Sequence, residues 1–95
     1  MKIYLTAVIK SKEEHQQEVL EVLQNMVKET RKEEACELYS LHQGIEDKNQ
    51  FIFYEIWASE EGLAEHNQQP YIQAFGAIVD GKLQENPQIY TTHIL

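Results

Sequence analysis

The sequence contains one cysteine, two prolines and four glycines, and it has half as many basic residues as acidic ones. The single cysteine, Cys36, excludes a disulfide within the chain and leaves no second thiol for a zinc or redox pair. We expect it to be a small buried residue. The glycines are isolated from one another, so the chain has no glycine-rich loop of the kind that cradles phosphate groups.

Positive charge is scarce along the whole chain. Eight Lys and Arg side chains stand against 16 Asp and Glu, for a formal net charge of −8. Nucleic-acid binding relies on clustered basic side chains that displace counterions, but only Lys28, Arg31 and Lys32 lie close together here. That trio is typical of a solvated helix face. The charge balance therefore indicates no nucleic-acid partner.

Long hydrophobic runs are also absent. The N-terminal segment MKIYLTAVIK ends in the charge of Lys10 and is too short for a signal-peptide core with its cleavage site, or for a membrane span. We therefore expect a cytoplasmic protein with no membrane partner. The 95 residues are 42% hydrophobic and 25% charged, which predicts one globular domain over residues 1–95.

The first half of the chain predicts a strand, a helix and a second strand. Residues 2–9 are rich in β-branched and aromatic side chains, as strands are. Ser11 followed by Glu14 is a capping-box pattern, which predicts that a helix begins there. Helical spacing then predicts one buried face on this helix, formed by Val19, Leu20, Leu23, Met26, Val27 and Thr30. A further strand is expected at about 36–43.

The second half predicts a hairpin, two helical segments and a last strand. The polar turn 44–49 leads into a strand at 51–58, and Ser59 then caps a helix that contains His66. Pro70 begins a new helical segment at 70–79, because proline suits a first helical turn. A strand follows at 88–95. The order β-α-β-β-α-β predicts an α+β protein of ferredoxin-like type, with a four-stranded antiparallel sheet and helices on one face.

The strand predicted at 51–58 is apolar on both faces. One face presents Phe51, Phe53 and Trp57, and the other presents Ile52, Tyr54 and Ile56. Helices on one side of the sheet cover only one of these rows. Since a large exposed apolar surface marks an interaction site, we expect a homodimer in which two sheets pack face to face and close into an α+β barrel.

Candidate functional side chains gather where this strand meets the next helix. Trp57 ends the strand, and His66 lies on the same side of the helix as Leu63, which directs it toward the sheet. Glu55 shares a face with Phe53 and Trp57, so it must be hydrogen-bonded, paired or raised in pKa. A core histidine and a packing tryptophan would fit the same pattern.

Metal ligation and paired acid–base carboxylates have little support in the sequence. The four histidines lack the spacing of paired metal ligands, so no metal site is predicted. The paired glutamates fall at predicted helix ends, where solvation is the simpler account. These pairs are Glu13/Glu14, Glu33/Glu34 and Glu60/Glu61.

One series of residues resembles a known family. An aromatic residue, a glutamate and a tryptophan end the strand, a serine and a histidine follow, and a proline precedes further aromatic residues. The series consists of Tyr54, Glu55, Trp57, Ser59, His66, Pro70, Tyr71 and Phe75. It resembles the core signature of the antibiotic biosynthesis monooxygenase domain family, and the length and element order are similar as well. The resemblance implies a dimeric α+β barrel with a pocket between sheet and helices in each protomer.

Members of that family catalyse different reactions. They include monooxygenases that oxidise quinols or polycyclic anthrones with dioxygen and no metal or flavin, haem-degrading enzymes, and an isomerase of a phosphorylated sugar. The haem-degrading members carry a histidine ligand after the proline and an asparagine on the first strand, whereas this chain offers Phe75, Gly76 and Ala77 in the helix and Thr6 and Ala7 in the strand. Few basic residues are available to hold a sugar phosphate.

The resemblance therefore favours a cofactor-independent monooxygenase that acts on a small electron-rich aromatic substrate. It implies His66 and Trp57 as catalytic residues, with His66 accepting the substrate proton. The remaining substrate contacts are assigned to Tyr71 and Phe75 for stacking on a planar ring, Asn67 and Tyr39 for orienting an oxygen, and Glu55 for hydrogen bonding or, alternatively, catalysis. Three alternatives stay open: a non-catalytic dimeric binding protein, the sugar-phosphate isomerase, and a purely structural dimer with a filled core.

Overall fold

The computed structural model describes all residues from 1 to 95 and has the predicted element order. The second helical region is divided at Pro70, as expected from the restriction that proline places on the residue before it. The strands are β1 (Ile3–Lys10), β2 (Cys36–Gln43), β3 (Gln50–Trp57) and β4 (Gln88–Thr92). The helices are α1 (Gln16–Thr30), α2 (Glu60–Asn67) and α3 (Pro70–Lys82), with a short 3-10 turn at Glu13–His15.

The strands form one antiparallel sheet in the order β2-β3-β1-β4. Ala7 of β1 lies opposite Phe53 of β3 on one side and Ile89 of β4 on the other, which fixes the faces of the sheet. The predicted ferredoxin-like α+β fold is confirmed, since the three helices pack on a single face of this sheet. No helix has the length and apolar character of a membrane span.

The core lies between that face and the helices. Side chains of β1 and β3 that share this face are buried, and α1 adds one stripe of residues at intervals of three and four, as the helical spacing predicted. Burying each large apolar side chain is worth roughly 1.5–3 kcal/mol, so this layer makes a large favourable contribution to folding. The central members are Leu5, Ile9, Val19, Leu23, Met26, Phe51, Phe53 and Trp57.

One helix cap was predicted correctly and one was not. Ser59 caps α2, because its Oγ accepts a hydrogen bond from the Gly62 N–H at 3.1 Å. Ser11 does not cap α1, which begins only at Gln16 after the 3-10 turn. The Ser11 N–H instead donates to the Asn49 carbonyl at 2.8 Å, and Ser11 forms an isolated β-bridge with Leu83. These tertiary contacts hold the Ser11 backbone in a position from which it cannot cap α1.

Cys36 is half-buried rather than fully buried at the start of β2. Partial burial, with the negative charges of Glu33 and Glu55 nearby, raises the pKa of its thiol to about 11. At neutral pH Cys36 is therefore a protonated, weakly nucleophilic thiol.

The outer face of the sheet points away from the helices. Tyr54 and Tyr90 on this face are 38% and 53% exposed, and Ile52 and Ile56 are half-buried. Among the paired strand positions of this face, Lys10 at the end of β1 is the one Asp, Glu, Lys or Arg; Glu37 lies at the β-bulge between Cys36 and Leu38 and forms an ion pair with Lys2 at 2.8 Å. The other members are Tyr4, Thr6, Val8, Leu38, Ser40, His42, Ile52, Tyr54, Ile56, Gln88, Tyr90 and Thr92. A second copy that covers this face stays a prediction.

Candidate functional site

A small cavity lies between the inner face of the sheet and helices α2 and α3. Its volume is about 80 Å³, which is room for a few water molecules. Most of its wall is apolar, and the polar side chains that reach it come from three elements. These are Tyr39 on β2, Glu55 on β3, and His66 and Asn67 on α2. The apolar wall includes Leu5, Met26, Phe53, Leu63, Ile72, Phe75 and Ile89.

Glu55 is a buried carboxyl group in this wall. Strand alternation places it on the inner face between Phe53 and Trp57, and the Trp57 indole N–H donates to its Oε1 at 2.8 Å. Burial raises the pKa of Glu55 to about 7, and the negative charge of Glu33 adds to this rise, whereas the Trp57 hydrogen bond opposes it. Near neutral pH, Glu55 therefore exists in both protonation states, which suits a group that holds or releases a proton.

His66 forms the second polar feature of the wall. Its Nδ1 lies 2.7 Å from Glu33 Oε2, and the ring centroids of His66 and Trp57 are 4.5 Å apart. Burial lowers the pKa of His66, while the bond to Glu33 and its charge act in the opposite direction. Desolvation dominates because the side chain is only 5% exposed. The imidazole is therefore neutral at physiological pH and is able to accept a proton.

The hydrogen bond to Glu33 also assigns the tautomer of this neutral ring. A carboxylate only accepts hydrogen bonds, so Nδ1 carries the proton and Nε2 is left with a free lone pair. The Tyr71 hydroxyl donates to the same Glu33 oxygen at 2.5 Å. Burial and this bond raise the pKa of Tyr71, so its phenol stays protonated and remains a donor. Glu33 thus joins α2 and α3 through one carboxylate oxygen.

Tyr39 packs beside these groups and is almost completely buried. Its ring centroid lies 5.6 Å from that of His66 and 4.9 Å from that of Phe53. Burial raises the pKa of Tyr39 far above the physiological range, so its phenol stays protonated. Thr30 Oγ1 is buried nearby and has no hydrogen-bond partner of ordinary geometry.

A larger concavity adjoins the cavity on the far side of Glu33. This acidic groove has a volume of about 540 Å³ and is lined by Glu33, Glu34, Glu61 and Glu65, with Ser59 and Gly62 of the α2 start. It is open and polar, and it contains no aromatic side chain. The buried titratable side chains of Glu55 and His66 therefore line the smaller cavity and not the acidic groove. No three His, Cys, Asp or Glu side chains are placed to hold a metal ion together.

The structure brings together most of the residues proposed from the sequence. Tyr39, Glu55, His66, Asn67 and Phe75 all line the cavity. Trp57 is fully buried behind it, in contact with Glu55 and His66 but outside the lining. Tyr71 also lies outside the lining and reaches Glu33 instead. The roles assigned to these residues stay predictions.

Glu33 is the site residue that sequence reasoning missed. Its position beside Glu34 at a helix end predicts a solvated side chain, yet the Glu33 side chain is only 13% exposed because it faces His66 and Tyr71. Its partners lie 33 and 38 positions further along the chain. No local pattern links residues so far apart, so the sequence held no signal for this contact.

The fold and the site together define a class, namely ferredoxin-like α+β domains with a histidine-bearing cavity between sheet and helices. Comparison with known proteins then gives the family. The family model for antibiotic biosynthesis monooxygenase matches residues 2–77. The chain belongs to this family.

Individual proteins are similar to this chain in sequence or in fold. A protein of Bacillus subtilis (strain 168) named "Putative monooxygenase YcnE" is 35% identical over 75 residues, covering 79% of each chain. The crystal structure of PA3566 from Pseudomonas aeruginosa superposes with a TM-score of 0.92 at 26% identity, covering 99% of this chain and 94% of that one. Rv0793 from Mycobacterium tuberculosis gives a TM-score of 0.93 at 21% identity, with 100% and 96% covered, and so supports the fold alone.

Proposed function

We propose that this protein is a monooxygenase that oxidises a small electron-rich aromatic compound, of quinol or anthrone type, with dioxygen and without a metal or organic cofactor. Membership of the family supports the general reaction class. The observation that carries the specific proposal is the neutral His66, held by Glu33 at the wall of an apolar cavity. An acidic aromatic hydroxyl or benzylic C–H placed there loses its proton to His66 Nε2.

Deprotonation is the step that the protein must supply. Ground-state dioxygen is a triplet and reacts slowly with closed-shell molecules, but an electron-rich anion donates one electron to it readily. The overall reaction balances without a further reductant. For a quinol, one oxygen atom enters the ring to give a hydroxyquinone and the other leaves as water, and the substrate supplies all the electrons. The apolar wall around Phe53 and Phe75 shelters the anion from water.

Substrate size sets a requirement on the cavity. Ligand sites are typically about 300–1,000 Å³, whereas this cavity is about 80 Å³. An aromatic substrate therefore enters only if part of the wall moves outward. The candidates are α3, which has no fully buried residue, and β4, an edge strand that pairs only with β1. Phe75 and Ile89 of the cavity wall belong to these two elements.

We also propose that the functional unit is a homodimer whose two outer sheet faces pack together. The paired strand positions of the outer face combine exposed aromatic and aliphatic side chains with no Asp, Glu, Lys or Arg apart from Lys10. Such a face is unusual on a chain of net charge −8. Two copies with that charge repel each other in most orientations, and the uncharged centre of this face is where they approach at the lowest electrostatic cost.

A non-catalytic binding protein would share the apolar cavity but would not need proton-accepting groups inside it. Two such groups, Glu55 and His66, line this cavity, which favours catalysis. A sugar-phosphate isomerase is disfavoured because no Lys or Arg reaches the cavity, whereas a buried carboxyl group does. A phosphate dianion would meet repulsion there.

The proposal is tested with an oxygen electrode and a panel of substituted hydroquinones and anthrones, followed by product analysis. We expect oxygen uptake with at least one compound and its loss, by about a hundredfold or more, in His66→Ala. His15→Ala is the matched control, because His15 forms a comparable Nδ1 contact with Glu18, at 3.1 Å on the surface. Binding of a panel compound without oxygen uptake would support the binding protein instead.

A further inference from the structure

We propose that Glu33 is a positioning and proton-relay residue, which holds His66 with its Nε2 toward the cavity and carries the abstracted proton into the acidic groove. This inference rests on the proposed function for the source of the proton. It adds proton transfer to the contact between Glu33 and His66, and it assigns a role to the acidic groove, which the cofactor-free oxidation itself does not use.

The arrangement of the two concavities is the first argument. His66 lines the cavity but not the groove, whereas Glu33 lines the groove but not the cavity. The 2.7 Å contact between His66 Nδ1 and Glu33 Oε2 therefore crosses the wall that separates them. Exposure rises along the same line, from 5% for the His66 side chain to 13% for that of Glu33. A proton released in the cavity has a short hydrogen-bonded route to solvent.

The chemistry of the relay involves only proton movements. The substrate proton binds to His66 Nε2, and the proton already on Nδ1 passes to the Glu33 carboxylate, so the imidazole is neutral before and after. Glu33 then releases its proton to water in the groove. When the second oxygen atom leaves as water it takes the proton from His66 Nε2, and a proton from the groove returns through Glu33 to Nδ1, which restores the starting tautomer with no net proton release. The further carboxylates of that groove, on Glu34, Glu61 and Glu65, attract cations and favour this outward direction.

The surroundings of His66 are consistent with a transient positive charge on its ring. The titratable side chains packed around it are Glu33 from the α1–β2 connection, Tyr39 from β2, Glu55 from β3 and Tyr71 from α3. None of them is cationic. Glu55 is less suited to the relay, because it faces the cavity and its Oε1 is occupied by Trp57. Glu33 alone connects the ring to the groove.

Histidine side-chain NMR tests the positioning role without any substrate. Long-range ¹H–¹⁵N spectra of the uniformly ¹⁵N-labelled protein should show His66 with a protonated Nδ1 and an unprotonated Nε2. In Glu33→Gln, we expect a lower pKa of His66 and a gain of the Nε2–H tautomer, because the amide has no charge and also donates hydrogen bonds. Glu34→Gln is the matched control, since Glu34 lines the same groove but is exposed and makes no bond to His66.

A second variant keeps the test decisive if Glu33→Gln does not fold. Tyr71→Phe removes one donor from the Glu33 oxygen and leaves the His66 contact in place. The His66 tautomer should be retained, and the pKa of His66 should rise because the carboxylate keeps more of its negative charge for the imidazolium. An Nε2–H tautomer in the wild-type protein, or His66 spectra that neither variant changes, would overturn the positioning role.

Activity measurements test the relay. With a panel compound that supports oxygen uptake, Glu33→Gln should lower kcat by about tenfold or more while KM changes by about twofold or less. The solvent deuterium isotope effect on kcat should increase. An unchanged kcat in Glu33→Gln would refute the relay. If the wild-type protein consumes no oxygen but shows the expected tautomer, the proposed function fails and the positioning role of Glu33 stands.

Discussion

Trp57 donates its indole N–H to Glu55, two residues earlier on the same strand, and both side chains are buried beneath α2. Residues two apart on a strand share a face, so this bond follows directly from the local sequence. It gives Glu55 one partner, which is less than a buried carboxylate needs. The balance between protonated and ionised Glu55 is therefore set by the core around it.

Replacement of Glu55 by glutamine should flatten the pH dependence of stability. The pKa of Glu55 is raised to about 7 in the folded state, from an ordinary value of 4.5. Folding therefore favours the protonated form of Glu55. The stability that the folded state gains from this group is complete below the unfolded pKa and is lost as the pH rises from about 4.5 to 7. The loss is roughly 3 kcal/mol at about 1.36 kcal/mol per pKa unit. Urea unfolding of wild type and Glu55→Gln from about pH 5 to 8 measures it.

In that experiment, Glu55→Gln should gain stability relative to wild type as the pH rises, because the amide stays neutral and its oxygen still accepts from Trp57. Glu34→Gln is the control, since Glu34 is exposed and should track wild type. A constant difference between Glu55→Gln and wild type across this range would show that Glu55 titrates normally in the folded protein.

Trp57→Phe should destabilise the protein by about 2–4 kcal/mol. The smaller ring leaves a void in a fully buried position, and Glu55 loses its only side-chain hydrogen bond. Unfolding is followed by circular dichroism, because the variant removes the only tryptophan. In the Glu55→Gln background the cost should be smaller at about pH 8, since no charge is then left unpaired. Equal costs in both backgrounds would mean that the bond does not couple the two residues.

Alanine at two glycines should have opposite effects. A Cβ at Gly62 would lie 2.2 Å from the Ala35 Cβ, so Gly62→Ala forces α2 away from the chain before β2. Gly76 lies in α3, where an added Cβ would have no neighbouring atom within 4 Å. Gly76→Ala should therefore stabilise by about 0.5–1 kcal/mol through helix propensity. Thermal unfolding compares the two. A Gly62→Ala protein as stable as wild type would contradict this close packing.

A glutamate at Tyr54 should dissociate the proposed dimer. Tyr54 lies in the uncharged centre of the outer face, and two such charges facing each other across a two-fold interface would repel and lack solvent. Light scattering after size-exclusion chromatography should give a dimer for wild type and a monomer for Tyr54→Glu at micromolar concentration. Gln24→Glu, on the exposed side of α1, should remain dimeric. A monomeric wild type would refute the dimer itself.

The fold was predictable because its signals are local. β2 occupies the predicted residues 36–43, and Ser59 caps α2 through a bond to Gly62 three residues later. The two faces of β3 follow from strict alternation, which the register with β1 maintains over the whole strand. Ser11 carried the same kind of cap signal but was overridden by a partner at Asn49, which only the folded chain brings near.

The site was predictable only in part, for the same reason. His66 and Glu55 were identified because each stands on a face that local periodicity assigns to the interior. Glu33 was missed because its environment is created by α2 and α3, both distant in sequence. The position of Trp57 behind the cavity, rather than in its wall, depends on how closely α2 approaches the sheet. Such distances depend on how helices and sheet pack, and the spacing of residues along the sequence does not specify them.

The two ends of α3 are held to the rest of the protein by different kinds of hydrogen bond. After its last turn, the chain is held to the end of β1 by backbone hydrogen bonds from Lys12 to Lys82 and from Gln84 to Lys10, with the bridge between Ser11 and Leu83. Near its first turn, α3 is held by side-chain bonds only, from the Tyr71 hydroxyl to Glu33 and from Gln73 Nε2 to the Asn67 carbonyl at 2.9 Å. An outward movement of α3 should therefore pivot about its C-terminal end, so that the edge next to α2 opens first and admits a flat molecule edgewise.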